Sequence, residues 1–221
     1  MAGPPLLLGH RGARASASVA ENTLASFDLA LDHGCDGFEF DVRLTGCGCA
    51  VICHEPTVSG VTVSKATAGQ LSELPTLQDV LAHLAKRAFL DIELKVPGLA
   101  SQLLLALRDH PPERGYVVSS FLPDVLIELS IRSESIPLGM ICENRRQLQR
   151  WPDLPLQYVI PEYSLITCEL VQQVHEAGRL LFAWTVNDKS AMVRLAEWGV
   201  DGIISDQTEL LVRTLGPSSL H

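Results

Sequence analysis

The segment Gly37-Phe38-Glu39-Phe40-Asp41-Val42-Arg43-Leu44 alternates apolar and charged residues with a period of two. In an extended strand successive side chains point to opposite faces, so Phe38, Phe40 and Val42 share one face and Glu39, Asp41 and Arg43 the other. Phe89-Leu90-Asp91-Ile92-Glu93-Leu94-Lys95 repeats the pattern, with Leu90, Ile92 and Leu94 set against Asp91, Glu93 and Lys95. A strand of a parallel sheet is buried on both faces, so charged residues within it need a partner or a purpose.

Outward from these two segments, short apolar runs alternate with amphipathic stretches along the whole chain. The strand expectations are Leu6–Gly9, Gly37–Leu44, Phe89–Leu94, Tyr116–Ser119, Leu138–Cys142, Tyr158–Pro161, Leu180–Val186 and Gly202–Ser205. The helical patterns are Leu24–His33, Leu77–Lys86, Leu99–Asp109, Pro123–Arg132, Arg145–Trp151, Cys168–Ala177, Ser190–Trp198 and Glu209–Thr214. Thr23 can cap the first helix, Gly34 follows its last periodic residue, and Gly178 and Gly199 follow those of two others. Eight strand–helix units predict an α/β fold, a closed (β/α)8 TIM barrel, as one domain over residues 1–221. The doubly wound open sheet is the rival, but it favours a Gly-rich first turn, and the chain has no G-x-G-x-x-G. Glu55–Leu74 interrupts the alternation and reads as a loop over one end of the barrel.

On this fold the inner faces of two adjacent strands bring Glu39, Asp41 and Glu93 together, with Lys95 close by. An ion-pair network among these residues, Arg43 and Asp91 is one reading. The other is a cation site: crowded carboxylates repel unless a cation sits among them, and an all-oxygen set suits Mg²⁺ or Ca²⁺. Gly9-His10-Arg11-Gly12 ends the first strand, which puts His10 and Arg11 on the C-terminal rim, where barrel enzymes build their sites. His54, just after the apolar Val51-Ile52-Cys53, can reach the same rim. His33, His83, His110 and His175 lie in or beside helical patterns, and His221 is the terminus; none is expected to act.

The 221 residues are 47% hydrophobic and carry a formal net charge of −9. Such a chain does not suit nucleic acid or anionic membranes without a basic patch, and none is evident. No apolar stretch approaches the roughly 18 residues of a membrane anchor, and Leu6–Leu8 reads as a buried strand, so a cytoplasmic location is expected. The six cysteines, Cys35, Cys47, Cys49, Cys53, Cys142 and Cys168, are then free thiols. The oligomeric state is not legible.

The ordered motifs resemble one known family. His10-Arg11-Gly12, Glu21-Asn22-Thr23, Gly34-Cys35-Asp36-Gly37-Phe38-Glu39-Phe40-Asp41-Val42 and Val51-Ile52-Cys53-His54 resemble the N-terminal signature of the glycerophosphodiester phosphodiesterases. Leu74-Pro75-Thr76-Leu77, Ile92-Glu93-Leu94-Lys95, Trp184-Thr185-Val186-Asn187 and Gly199-Val200-Asp201-Gly202-Ile203-Ile204-Ser205-Asp206 are similar to its later landmarks. The resemblance implies metal-dependent hydrolysis of a small glycerophosphodiester to glycerol 3-phosphate and an alcohol. It makes His10 and His54 the general acid/base pair and Glu39, Asp41 and Glu93 the ligands of one divalent cation. It puts Arg11 and Lys95 on the phosphate and Trp184 in the pocket wall. The nucleophile it implies is the substrate's own glycerol hydroxyl, giving a cyclic phosphate that water opens.

Three departures from the family pattern stand out. Glu55 follows His54 in place of Asp, Thr45-Gly46-Cys47-Gly48 replaces Thr-x-Asp-Gly, and the segment after His54 is short, which implies a more open pocket. A lysophospholipase D- or sphingomyelinase D-like activity on a larger lipid, or a binding protein that has lost its chemistry, are the rival functions.

Overall fold

Eight runs rich in Leu, Ile, Val and Phe form one parallel ring: β1 (Leu6–His10), β2 (Gly37–Leu44), β3 (Phe89–Leu94), β4 (Tyr116–Ser120), β5 (Leu138–Cys142), β6 (Tyr158–Pro161), β7 (Leu180–Ala183) and β8 (Gly202–Ser205). Closure is direct, because β1 pairs with β2 (His10 opposite Glu39) and with β8 (Leu8 opposite Ile204). The computed structural model describes residues 3–217, so His221 lies outside it. Alternating with the strands are α1 (Leu24–Asp32), α2 (Leu77–Leu84), α3 (Ala100–Asp109), α4 (Pro123–Arg132), α5 (Arg145–Leu148), α6 (Cys168–Glu176), α7 (Lys189–Trp198) and α8 (Thr208–Leu215). No helix among the described residues is long and apolar enough to cross a membrane.

Apolar residues fill both sides of the ring. Between strands and helices, Phe27 of α1 stacks on Phe38 of β2 at 4.3 Å, and Phe40 packs against both. Inside the ring, Leu8, Phe89, Val117, Ile141, Ile160, Phe182 and Ile204 form a separate cluster. Each such side chain contributes roughly 1.5–3 kcal/mol by leaving water. Gly37 lets β2 and β3 approach, since a Cβ there would stand 1.9 Å from the Phe89 carbonyl oxygen.

Three expectations need correction. Beyond Leu148 the expected fifth helix gives way to a 3-10 turn at Trp151–Asp153, because Pro152 lacks an N–H and disfavours helix at the residue before it. β7 stops at Ala183, the last residue paired with β8, rather than at Val186. Glu55–Leu74 is more than a loop. A ribbon pairs Thr57–Val58 with Val61–Thr62, and two 3-10 turns follow. Ala50–Ile52, just before it, adds an antiparallel strand to β2. Val51, Cys53, Val63, Ala66 and Leu71 give this insertion its own small core.

Candidate active site

Strand register sets the site. His10 lies opposite Glu39, which lies opposite Asp91; one step up, Asp41 lies opposite Glu93, which lies opposite Ser119. Glu39, Asp41 and Glu93 are 4%, 1% and 6% exposed and offer oxygens within 4.8 Å of one another. Lys95 Nζ stands 2.7 Å from Glu93 Oε1 and 3.2 Å from Asp41 Oδ1. Arg11 Nε is 3.2 Å from Asp41 Oδ2, and the Asn22 amide donates to that oxygen at 2.8 Å. The Arg11 N–H donates to Glu39 Oε2 at 3.0 Å, a direction made possible by its left-handed backbone (φ 52°). Gly12 follows because any Cβ there would come within 2.6 Å of the Ser26 backbone.

The cations present do not satisfy the cluster. Glu39 Oε1, Asp41 Oδ1 and Glu93 Oε1 are buried without a hydrogen bond; for the last two, Lys95 is at ion-pair distance but outside hydrogen-bonding geometry. Burial, then repulsion from Asp41 and Glu93, pushes the Glu39 carboxyl well up. Burial and Asp41 push Glu93 up to about 8 against the pull of Lys95. Burial would also raise Asp41, but Lys95, Arg11 and Asn22 together hold it below the usual carboxylate range. Buried oxygen ligands with lone pairs to spare fit a hard divalent cation.

His10 is 9% exposed, and its Nδ1 lies 2.7 Å from Asp206 Oδ1, just beyond β8. Its Nε2 turns toward the carboxylates, 3.8 Å from Glu39 Oε2. Burial disfavours an ionised Asp206, but His10, Asn187 and Arg14 outweigh it and keep the carboxyl strongly acidic. His54 pairs its Nδ1 with Glu55 at 2.8 Å, and its backbone carbonyl accepts from Arg43 Nε at 2.8 Å. Arg43 therefore leaves the expected cluster. β2 pairs with β3 only as far as Val42, and Arg43 lies opposite Val51 of the insertion.

A cavity of about 450 Å³ joins these groups. Its lining combines the charged or titratable His10, Arg11, Glu39, His54, Glu93 and Lys95 with the apolar Phe121, Ile141, Ile160, Trp184 and Ile204. Trp184 packs edge-on against Phe121 at 5.4 Å, and its Nε1 donates to the Ile160 carbonyl at 2.9 Å. Asp41 belongs to the cluster but is not among the residues that line the cavity. Sequence reasoning assigned no role to Asp206, Glu21 or Asn22, and gave Asp91 only a place in an ion-pair network. Glu21 binds Arg11 at 2.8 Å, and Asp91 accepts from Ser119 at 2.5 Å. The legible signal for Asp206 was a carboxylate at the C-terminal end of the last strand. All six cysteines are free, and Cys35, Cys53 and Cys142 are buried.

Comparison with known proteins points to one family. Residues 10–87 and 63–210 match the model of the glycerophosphoryl diester phosphodiesterase family. A glycerophosphodiester phosphodiesterase of Caldanaerobacter subterraneus subsp. tengcongensis is 32% identical over 94% of this chain and 96% of its own length. The crystal structure of the Thermotoga maritima glycerophosphodiester phosphodiesterase superposes with a TM-score of 0.82 at 26% identity, covering 96% of this chain and 99% of that one. An Oleispira antarctica phosphodiesterase, solved with its product sn-glycerol-3-phosphate, superposes with a TM-score of 0.84 at 25% identity over 96% of each chain.

Proposed function

The chain belongs to the glycerophosphoryl diester phosphodiesterase family, and from that premise we propose that it hydrolyses small glycerophosphodiesters to glycerol 3-phosphate and an alcohol. One observation carries the reading: two histidines with anchored Nδ1 atoms share a cavity with Glu39 and Glu93 of a buried, under-satisfied carboxylate triad. Glu39, Asp41 and Glu93 hold one divalent cation, Mg²⁺ or Ca²⁺. When bound, it neutralises phosphodiester charge and stabilises the charge that builds at phosphorus in the transition state.

Arg11 and Lys95 hold the same anion from the protein side, and Trp184 walls the pocket. The ionised Asp206 keeps the His10 ring proton on Nδ1 and leaves Nε2 for exchange; Glu55 does the same for His54. One histidine takes the proton from the glycerol hydroxyl as its oxygen bonds to phosphorus. The other gives a proton to the alcohol oxygen as its bond to phosphorus breaks. Water then opens the cyclic phosphate with the two roles exchanged. Each proton transfer is worth about 10²–10⁴ in rate.

Product analysis on the purified protein tests the reading. A soluble glycerophosphodiester should yield equimolar glycerol 3-phosphate and free alcohol. Release of glycerol with a phosphorylated alcohol, or no release, would refute it.

A further inference from the structure

We propose that Glu143 makes the outer end of the cavity a subsite for an ammonium head group, so that the enzyme prefers glycerophosphodiesters of amino alcohols. This rests on the phosphodiesterase reading above and names the alcohol it releases.

Glu143 follows the last residue of β5, is exposed, and lines the same cavity as the two histidines. Its backbone is pinned, because its N–H donates to Gln147 Oε1 at 2.8 Å, and Asn144 caps the following turn of α5. Its exposed carboxylate has no hydrogen-bond or ion-pair partner among the described residues. The other carboxylates lining the cavity, Glu39, Asp91 and Glu93, belong to β2 and β3. Arg11 and the Lys95 side chain are largely buried where they line the cavity, whereas Glu143 is exposed, so its free negative charge lies toward solvent. The uncharged part of the lining is Phe121, Ile141, Ile160, Trp184 and Ile204, with Gln147.

The chemistry of that wall selects among alcohols. A polyol would lay most of its hydroxyls on apolar side chains, with Gln147 the one neutral amide in the lining, and an anionic head group would meet the Glu143 carboxylate. An alkylammonium instead lays methylene or methyl groups against the aromatic wall and its charge beside Glu143. Lys95 already stands 5.6 Å from the Phe121 ring centroid, which leaves Trp184 as the aromatic partner of the ammonium. About 450 Å³ is ample for a substrate of this size.

The test compares kcat/KM for glycerophosphocholine and glycerophosphoethanolamine with that for glycerophosphoglycerol, which carries a neutral polyol. The wild-type enzyme should favour the two cationic head groups. Glu143→Gln should lower that preference about 3- to 5-fold, mostly through KM, and Glu143→Lys about 10-fold or more. A preference that neither variant moves would overturn the proposal, as would equal losses on all three substrates. Wild-type failure on all three would refute the phosphodiesterase reading itself, whereas turnover of glycerophosphoglycerol with an unmoved preference would refute the subsite alone.

Discussion

His10 ends a barrel strand, is 9% exposed, and leans on an Asp206 that is itself held by Asn187 and Arg14. His54 sits on the connection after an antiparallel strand, with a side chain 30% exposed and a Glu55 partner 68% exposed. The two rings face one cavity, yet one inherits its position from the ladder of β8, β1 and β2 and the other from a small insertion. Rigidity at a barrel mouth is therefore local: a group on a strand end is fixed by the ring, and a group on a connection depends on that connection's own packing.

Deleting the two rings should give the largest effects. His10→Ala and His54→Ala should each lower kcat by about 10² or more, with cation content unchanged, and the double variant should lose less than the product of the two. Near-normal turnover in both, with metal content measured alongside, would end the two-histidine account.

Their partners should separate the two rings. Asp206→Asn should cost about 10- to 100-fold in kcat by loosening a buried ring and its tautomer. Glu55→Gln should cost only a few-fold, because a solvated carboxylate orients weakly. Equal losses would erase the contrast.

A pH series should show a smaller but diagnostic change. Glu93 is pushed up to about 8 from its ordinary 4.5, so the cation-free fold holds a proton that the unfolded chain has released. Stability of the cation-free protein should therefore fall as pH rises from about 4.5 to 8. Cation binding needs that carboxyl ionised, so the gain in Tm from added Mg²⁺ or Ca²⁺ should grow over the same range. A gain independent of pH would contradict the triad as the binding site.

The carboxylate triad was legible because β2 and β3 are buried on both faces, where charges at every second position stand out. The ring closure that sets Asp206 against His10, 196 residues away, leaves no local pattern. Arg43 shows where parity fails: the alternation continued, but the strand had already left β3 for Val51. The insertion's core is five small-to-medium side chains scattered over short turns, below the length at which periodicity registers.

The central claim is that one cation in the Glu39, Asp41 and Glu93 cluster enables the two histidines to work. Titrating Mg²⁺ or Ca²⁺ into exhaustively chelated protein, while following hydrolysis of a soluble glycerophosphodiester, tests it directly. The account predicts negligible turnover at the start and full recovery at one bound cation per chain. Full activity after chelation would contradict it.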